Sequence, residues 1–242
     1  MTARPSHRTI VRDGITVGMA TGAYGISFGA ISVAAGLSVL QTCALSALVF
    51  TGASQFALVG VVAAGGAPLS GAVTALLLGS RNTLYGLRLA PQLSWTGWRR
   101  VAAAHLVIDE STAMSVSRET RAAARVGFLA TGLAVFAFWN LATLGGALAG
   151  ESLGDPRVYG LDAAVGGAFL ALLWPRLRDR HNQLTALLAV ALALALVPVT
   201  AAGVPVLAAG LVAIAIGLGT RKDLDPTEIP DRDDLPSGGE HA

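Results

Sequence analysis

Long apolar stretches, interrupted by only a few polar positions, dominate this sequence. Apolar runs of this length are typical of helices that cross a bilayer. The pattern therefore predicts an all-α, polytopic transmembrane helical bundle with about seven apolar segments. This corresponds to about six to eight spans, some of them broken or re-entrant. The segments lie at about residues 14–37, 40–64, 69–90, 126–149, 158–175, 183–198 and 203–219.

Two polar islands interrupt the region from Val49 to Pro91, at residues 51–55 and 80–83. An amide or a guanidinium inside an apolar helix has no water to bond and is costly unless another group pairs with it. Such groups therefore face a protein interior, a cavity or the membrane interface. We interpret the islands as part of the polar centre of a membrane transporter.

The first segment carries small residues at alternating steps of three and four. This spacing puts them on one helical face, where another backbone can approach closely. We predict a packing role for this face rather than a direct contact with substrate, although glycine would also permit a broken span. The residues are Gly18, Gly22, Gly25, Gly29, Ser32 and Gly36.

Composition supports a membrane protein, since 53% of the residues are hydrophobic and only 13% are charged. A soluble domain carries about 25% charged residues. The net charge is +2, and Lys222 is the only lysine. The arginines cluster at segment ends, which indicates topology signals rather than a nucleic-acid surface. The single cysteine, Cys43, excludes an internal disulfide. Without a Walker A motif or a metal-ligand set, we expect no cofactor and no enzymatic activity.

The chain divides into three parts. Residues 1–13 form a basic tail of cytoplasmic type, residues 14–220 a transmembrane permease domain, and residues 221–242 an acidic tail expected to be disordered and cytoplasmic. The apolar stretch after the first tail is too long for a cleaved signal peptide, so we expect it to be retained.

The positions of the arginines leave two membrane topologies open. The arginines indicate that the N-terminus, residues 118–125, residues 176–181 and the C-terminal tail share the inner side. An even number of crossings must then precede residue 118, yet three apolar segments come before Pro91. Either one of them is re-entrant or broken, or residues 101–117 cross as well. We prefer the second solution, although it would put Arg99 and Arg100 outside.

Several polar residues within the apolar segments are candidates for contact with a substrate. Ser54 and Gln55 would serve equally as hydrogen-bond glue between helices or as ligand contacts. Arg81 would either extend to the headgroups or face the polar centre, where a guanidinium binds a carboxylate in bidentate fashion.

Acidic residues further along the chain are the second set of candidates. His105 and Asp109 are four residues apart and would pair on one helical face. With Glu110 they form either a proton-coupling cluster or the polar face of a helix lying on the membrane. Asp162 stands early in its segment, where it would cap the helix, lie at the interface or face the pathway.

The sequence resembles the AzlC family of branched-chain amino-acid permeases, the large subunits of azaleucine-resistance-type exporters. The resemblance covers about residues 14–220, and its last third rests mainly on hydropathy. It is carried by FGAISVAAGLS, VFTGASQFALVG, SRNTLYGLRLAP, LVIDESTAM and YGLDAAVGGAFLALLWP. Arg81, Tyr85 and Gly86 fit the family pattern, whereas Gly79 and Asn82 stand where Asn and His are expected.

The resemblance implies secondary export of branched-chain or similar apolar amino acids across the bacterial inner membrane, driven by protons. It also implies a small membrane partner of the AzlD type. Two alternatives stay open: a transporter or channel for another small organic solute, and a membrane scaffold without transport. The candidate substrate or coupling residues are Ser54, Gln55, Arg81, Tyr85, Asp109, Glu110 and Asp162.

Overall fold

A computed structural model describes residues 6–153, 170, 173–201 and 203–220. Over these residues the chain is helical throughout, without strands. The prediction for residues 158–175, including Asp162, and the prediction of a disordered acidic tail lie outside the described residues. The helices are α1 (His7–Gly22), α2 (Tyr24–Ala34), α3 (Val39–Leu48), α4 (Gly52–Ala63), α5 (Pro68–Leu93), α6 (Gly97–Ala104), α7 (Asp109–Val116), α8 (Arg121–Leu153), α9 (Arg180–Leu196) and α10 (Val204–Thr220), with a 3₁₀ helix at Trp174–Arg178.

Helices α1 and α2 form a nearly continuous rod, interrupted at Ala23, that lies along α8. These two rods, His7–Ala34 and Arg121–Ser152, are long and apolar enough to cross a membrane. The small-residue face makes the contact, and a Cβ added at Gly18 would lie 2.8 Å from the backbone carbon of Ala134. Successive contacts lie further toward the C-terminus in both rods, so the rods run parallel. The successive pairs are Gly14–Thr131, Gly18–Ala134, Gly22–Phe138, Gly25–Ala142 and Gly29–Ala147.

Of the last two residues of the predicted stripe, Ser32 is buried and Gly36 is exposed. Ser32 is buried, and its hydroxyl donates 2.7 Å to the carbonyl of Phe28 on its own helix. Gly36 has nothing near its Cβ position and has a φ of +94° in the turn that follows α2. Gly36 therefore serves the turn, because few other residues adopt this conformation.

Helix α5 runs antiparallel to α8. Its C-terminus lies at the N-terminus of α8, where Arg125 Nε donates to the carbonyl of Leu93 at 2.8 Å. The third segment, predicted at about 69–90, continues as α5 through Pro91 to Leu93, and Ser94, with a φ of +48°, is its C-cap. We call this end of the bundle the basic end, after the arginines that gather there: Arg8, Arg12, Arg99, Arg100, Arg118, Arg121 and Arg125.

Residues 39–63, hairpin A, enter from the opposite end and return to it. In α3, Ser46 meets Thr143 of α8, and Phe50, just after α3, reaches Phe136, which lies closer to the basic end. Helix α4 then runs antiparallel to α5, since Ser54 lies beside Gly79 and Leu58 beside Gly71. The predicted second span is therefore a broken, re-entrant pair of short helices.

Residues 97–116, hairpin B, enter and leave at the basic end. They begin just after α5, and Gln92 of α5 donates 3.0 Å to the carbonyl of Ser115 near the end of α7. Each helix has only eight residues, about 12 Å of rise. This geometry favours a re-entrant hairpin over the preferred expectation that residues 101–117 cross the membrane. The two re-entrant hairpins leave an even number of crossings and place Arg99 and Arg100 at the basic end.

The tips of the two hairpins meet inside the bundle. The rings of Phe50 and His105 lie 6.0 Å apart, and both pack on Phe136 of α8. The break in each hairpin thus lies near the middle of α8, at mid-height of the bundle, where a polar site can form.

The final helical pair predicted at about 183–198 and 203–219 is confirmed as α9 and α10, which contact the rest mainly through α5.

Candidate functional site

Gln55 organises the break in hairpin A. Its side chain is fully buried, and Nε2 donates to the carbonyls of Val49 at 2.7 Å and Ser46 at 3.2 Å. Its Oε1 accepts a hydrogen bond from Trp139 Nε1 at 3.0 Å. The amide thus satisfies the Ser46 carbonyl at the end of α3, gives a second donor to the Val49 carbonyl, which also accepts from the Thr51 N–H, and ties the break to α8. Of the two interpretations open for Gln55, this geometry supports the structural one.

The N-terminus of α4 lacks a side-chain cap and faces a pocket. Thr51 occupies the N-cap position, and its side chain makes no capping hydrogen bond. Gly52 and Ala53 line the pocket, and a Cβ at Gly52 would lie 3.1 Å from the Trp139 ring. Free N–H groups and the positive end of the helix dipole make such a terminus favourable for an anion.

Ser111 organises the break in hairpin B. Its Oγ donates to the carbonyl of Leu106 at 2.6 Å and accepts from the Ile108 N–H at 3.1 Å. These bonds start α7 at Asp109 and put both acidic residues into its first turn, where carboxylates complement the helix dipole. Asp109 and Glu110 consequently line the same pocket as the α4 N-terminus.

Arg81 joins α5 to hairpin B. Its Nη2 lies 2.7 Å from Asp109 Oδ2, and each side chain remains more than one-third exposed. Its Nε is buried and has no hydrogen-bond partner within the described part of the chain. The guanidinium therefore holds one carboxylate and keeps donor capacity for another acceptor.

The expected pairing of His105 with Asp109 does not occur. The helix breaks between α6 and α7, so the two residues do not share one helical face. His105 packs its ring on Phe50 and Phe136, while the Asp109 carboxylate turns to Arg81. The prediction failed because helical spacing was applied across a break.

The pocket itself has a volume of about 230 Å³. Drug-sized ligands occupy about 300–1,000 Å³, so this space suits a smaller metabolite. Its polar groups are one guanidinium, two carboxylates and the N-termini of two helices. Thr21, beside the Glu110 carboxylate, and Tyr24 add hydroxyls from the first rod. The apolar wall comprises Phe50, Phe56, Ile108, Val135 and Trp139.

The structure separates the sequence-predicted site residues into two groups. Arg81, Asp109 and Glu110 line the pocket. Ser54 is buried against Thr51 and the close approach of Gly79, so it packs α4 onto α5. Tyr85, one turn further along α5 than Arg81, packs against the hydrophobic core and does not line the pocket.

Four further pocket residues were not among the candidates: Thr51 and Asn82, which lie within the two predicted polar islands, and Thr21 and Trp139, which lie outside them. Trp139 could have been proposed from the sequence, because a buried indole N–H needs an acceptor and the Gln55 amide, inside an apolar segment, also needs a partner. For Thr21 no such signal existed, since a threonine bonds readily within its own helix.

The fold and site define a helical membrane protein with a polar pocket between two re-entrant hairpins. Residues 16–153 match the family described as AzlC protein. The match spans both rods and both hairpins and covers more than half of the chain. The chain belongs to the AzlC family, which confirms the resemblance and supports a role related to membrane transport.

Curated relatives agree at this level. The chain is 32% identical over 177 residues to an uncharacterized membrane protein of Archaeoglobus fulgidus, covering 72% of this chain and 78% of the relative. It is 23% identical over 172 residues to an uncharacterized membrane protein of Helicobacter pylori strain J99, covering 70% and 75%. No solved structure matches the chain.

Proposed function

We propose that this protein is the large subunit of a secondary transporter that exports branched-chain or similar apolar amino acids. The observation that carries the proposal is the Arg81–Asp109 ion pair inside a mid-height pocket with an apolar wall. A zwitterion with an apolar side chain needs a cation, an anion and an apolar surface close together, and this pocket offers all three. We regard the protein as a transporter and not as an enzyme.

In the proposed mechanism, the substrate carboxylate replaces Asp109 on Arg81 and accepts from the bare N-terminus of α4. The released Asp109, together with Glu110, receives the substrate ammonium group. The apolar side chain lies against the aromatic and aliphatic wall. The exchange is favourable because each charged group gives up one partner and gains another, so no charge is left unpaired.

The charge balance of the pocket supports the proposal of proton coupling. One arginine and two carboxylates leave one formal negative charge among the described lining residues. We propose that Asp109 or Glu110 takes up a proton when the substrate leaves, which would link export to the proton gradient. Asp162, the third candidate, lies outside the described residues.

The basic end is proposed to face the cytoplasm, in line with the positive-inside rule. The protein would then lie in the bacterial inner membrane with its N-terminus and C-terminus on the cytoplasmic side. A small AzlD-type membrane subunit is the proposed partner, in line with the family assignment. A transporter or channel for another small organic solute and a non-transporting scaffold are the alternative functions.

Efflux of preloaded labelled valine from cells tests the proposal. The chain would be expressed alone and with a candidate small subunit, with its presence in the membrane verified. Faster efflux with both subunits supports the two-subunit exporter, and faster efflux with this chain alone removes the need for a partner. Unchanged efflux in both cases contradicts valine export and directs the search to other solutes.

A further inference from the structure

A second cavity lies between α5 and hairpin B, on the basic side of the central pocket. Its volume is about 380 Å³, larger than that of the pocket. It begins at Asn82, which also lines the central pocket, and extends along α5 to Leu93 and Trp95 at the basic end. The eleven residue steps from Asn82 to Leu93 correspond to about 16 Å of helix.

The lining suits a solute that is mostly apolar with a charged group. One wall is formed by Ala90, Leu93 and Val107 and by the ring of Phe128, while Arg100 lies in the first turns of α6 at the basic end. A guanidinium at this end of a cavity attracts carboxylates and raises their local concentration.

Asn82 is the polar residue that both cavities share. Its Oδ1 is buried and has no hydrogen-bond partner among the residues that the structure describes. Buried amide oxygens are usually bonded, so one without a partner indicates contact with water or with a ligand. The Nε of the neighbouring Arg81 is also buried and has no hydrogen-bond partner among these residues. The two unpaired atoms come from consecutive residues of α5, where the central pocket adjoins the second cavity.

We propose that the second cavity is the chamber through which a small carboxylate-bearing apolar solute passes between the basic end and the central pocket, with Asn82 as the polar residue at the passage. This inference rests on the proposed transport function, and it names the path and a further residue that positions the solute. An apolar groove filled by lipid is the competing interpretation, and the experiment below separates the two.

Cysteine accessibility tests the chamber without any assumption about the substrate. In a Cys43→Ser background, Ala90→Cys and Ala104→Cys place thiols in the chamber on two different helices. Leu84→Cys is the matched control, because Leu84 is on α5, is 67% exposed and lines neither cavity. A membrane-impermeant cationic thiol reagent is applied to inside-out and right-side-out vesicles that contain the full chain.

We expect both chamber thiols to react from the side on which the basic end lies, and the Leu84→Cys thiol to remain unreactive to this reagent. Reaction of the chamber thiols only with a lipid-soluble maleimide would overturn the proposal and identify a lipid-filled groove. If the chamber thiols react as expected but valine efflux is absent, the proposal of the chamber stands and the proposal that valine is the substrate falls.

Substitution of Asn82 tests its role at the passage. Asn82→Leu keeps a similar volume but removes the polar group, and we expect efflux to fall about tenfold, the effect of one lost hydrogen bond. Asn82→Ser should restore part of the rate, while Ala90→Cys labelling stays unchanged in both variants. Wild-type efflux in Asn82→Leu would remove Asn82 from the passage.

Discussion

Arg81 of α5 and Asp109 of hairpin B form an ion pair, with Nη2 and Oδ2 2.7 Å apart. The pair connects a long helix to the tip of a segment that enters and leaves at the same end of the bundle. Because both side chains are partly exposed to the pocket, the pair can open without burying a free charge. A substrate that carries both charges can therefore replace the pair.

Asp109→Asn removes one charge of this pair and keeps the size of the side chain. Since partly exposed pairs contribute about 0–1 kcal/mol, we expect little change in the thermal unfolding temperature. Export of valine should nevertheless fall, because the substrate ammonium loses an anionic partner. Asp13→Asn is the control, as it removes a charge from the exposed Arg12–Asp13 pair, whose atoms are 3.9 Å apart. Equal export by both variants would contradict a role for Asp109 in the site.

Gln55→Leu should destabilise the fold rather than alter substrate recognition. It would leave the Trp139 N–H and the Ser46 carbonyl without the partners that Gln55 provides, at a cost of about 1–3 kcal/mol for each group. The measurement is thermal unfolding in detergent, with the exposed Gln183→Leu as control. A stable Gln55→Leu protein with a raised KM for valine would instead place Gln55 in the binding site.

The contact between the first rod and α8 is tested by two adjacent glycines. A Cβ at Gly146 would overlap the backbone of Ile26, whereas a Cβ at Gly145 would meet nothing within 4 Å in the part of the chain that the structure describes. Gly146→Ala should therefore reduce the amount of folded protein, since it separates the rods. Gly145→Ala should be neutral or stabilise by about 0.4–1 kcal/mol, because alanine restricts the unfolded chain. Equal stability of the two variants would show that the rods do not pack as described.

Hairpin B gives a topological prediction. Thr96 and Ser117 flank it, both are exposed, and both lie at the basic end. In the Cys43→Ser background, Thr96→Cys and Ser117→Cys should react with an impermeant thiol reagent from the same side of the membrane. Ala67→Cys, in the turn before α5, should react from the other side. Opposite sides for Thr96 and Ser117 would mean that the segment crosses the membrane.

The sequence was sufficient for the helical class, the small-residue packing face and three pocket residues. Gly18 and Gly22 were interpretable because side-chain size and helical spacing alone determine that face. A re-entrant segment was one of two open topologies, because the two short helices of hairpin A together have the length and apolar composition of one full span. Gln55 shows why the sequence alone did not decide which polar residues contact a substrate. An amide in an apolar helix must bond to something, and only the fold reveals that its partners are Val49 and Trp139.

The most direct test of the central claim is the rate of labelled valine export by Arg81→Lys, compared with the wild type at equal amounts in the membrane. Lysine keeps the charge but not the bidentate geometry of the guanidinium. Loss of one charge-assisted hydrogen bond, about 1.5–3 kcal/mol, corresponds to export that is about 10- to 100-fold slower. We expect such a decrease with Arg81→Lys and no export with Arg81→Ala. Export at the wild-type rate by Arg81→Ala would contradict the account.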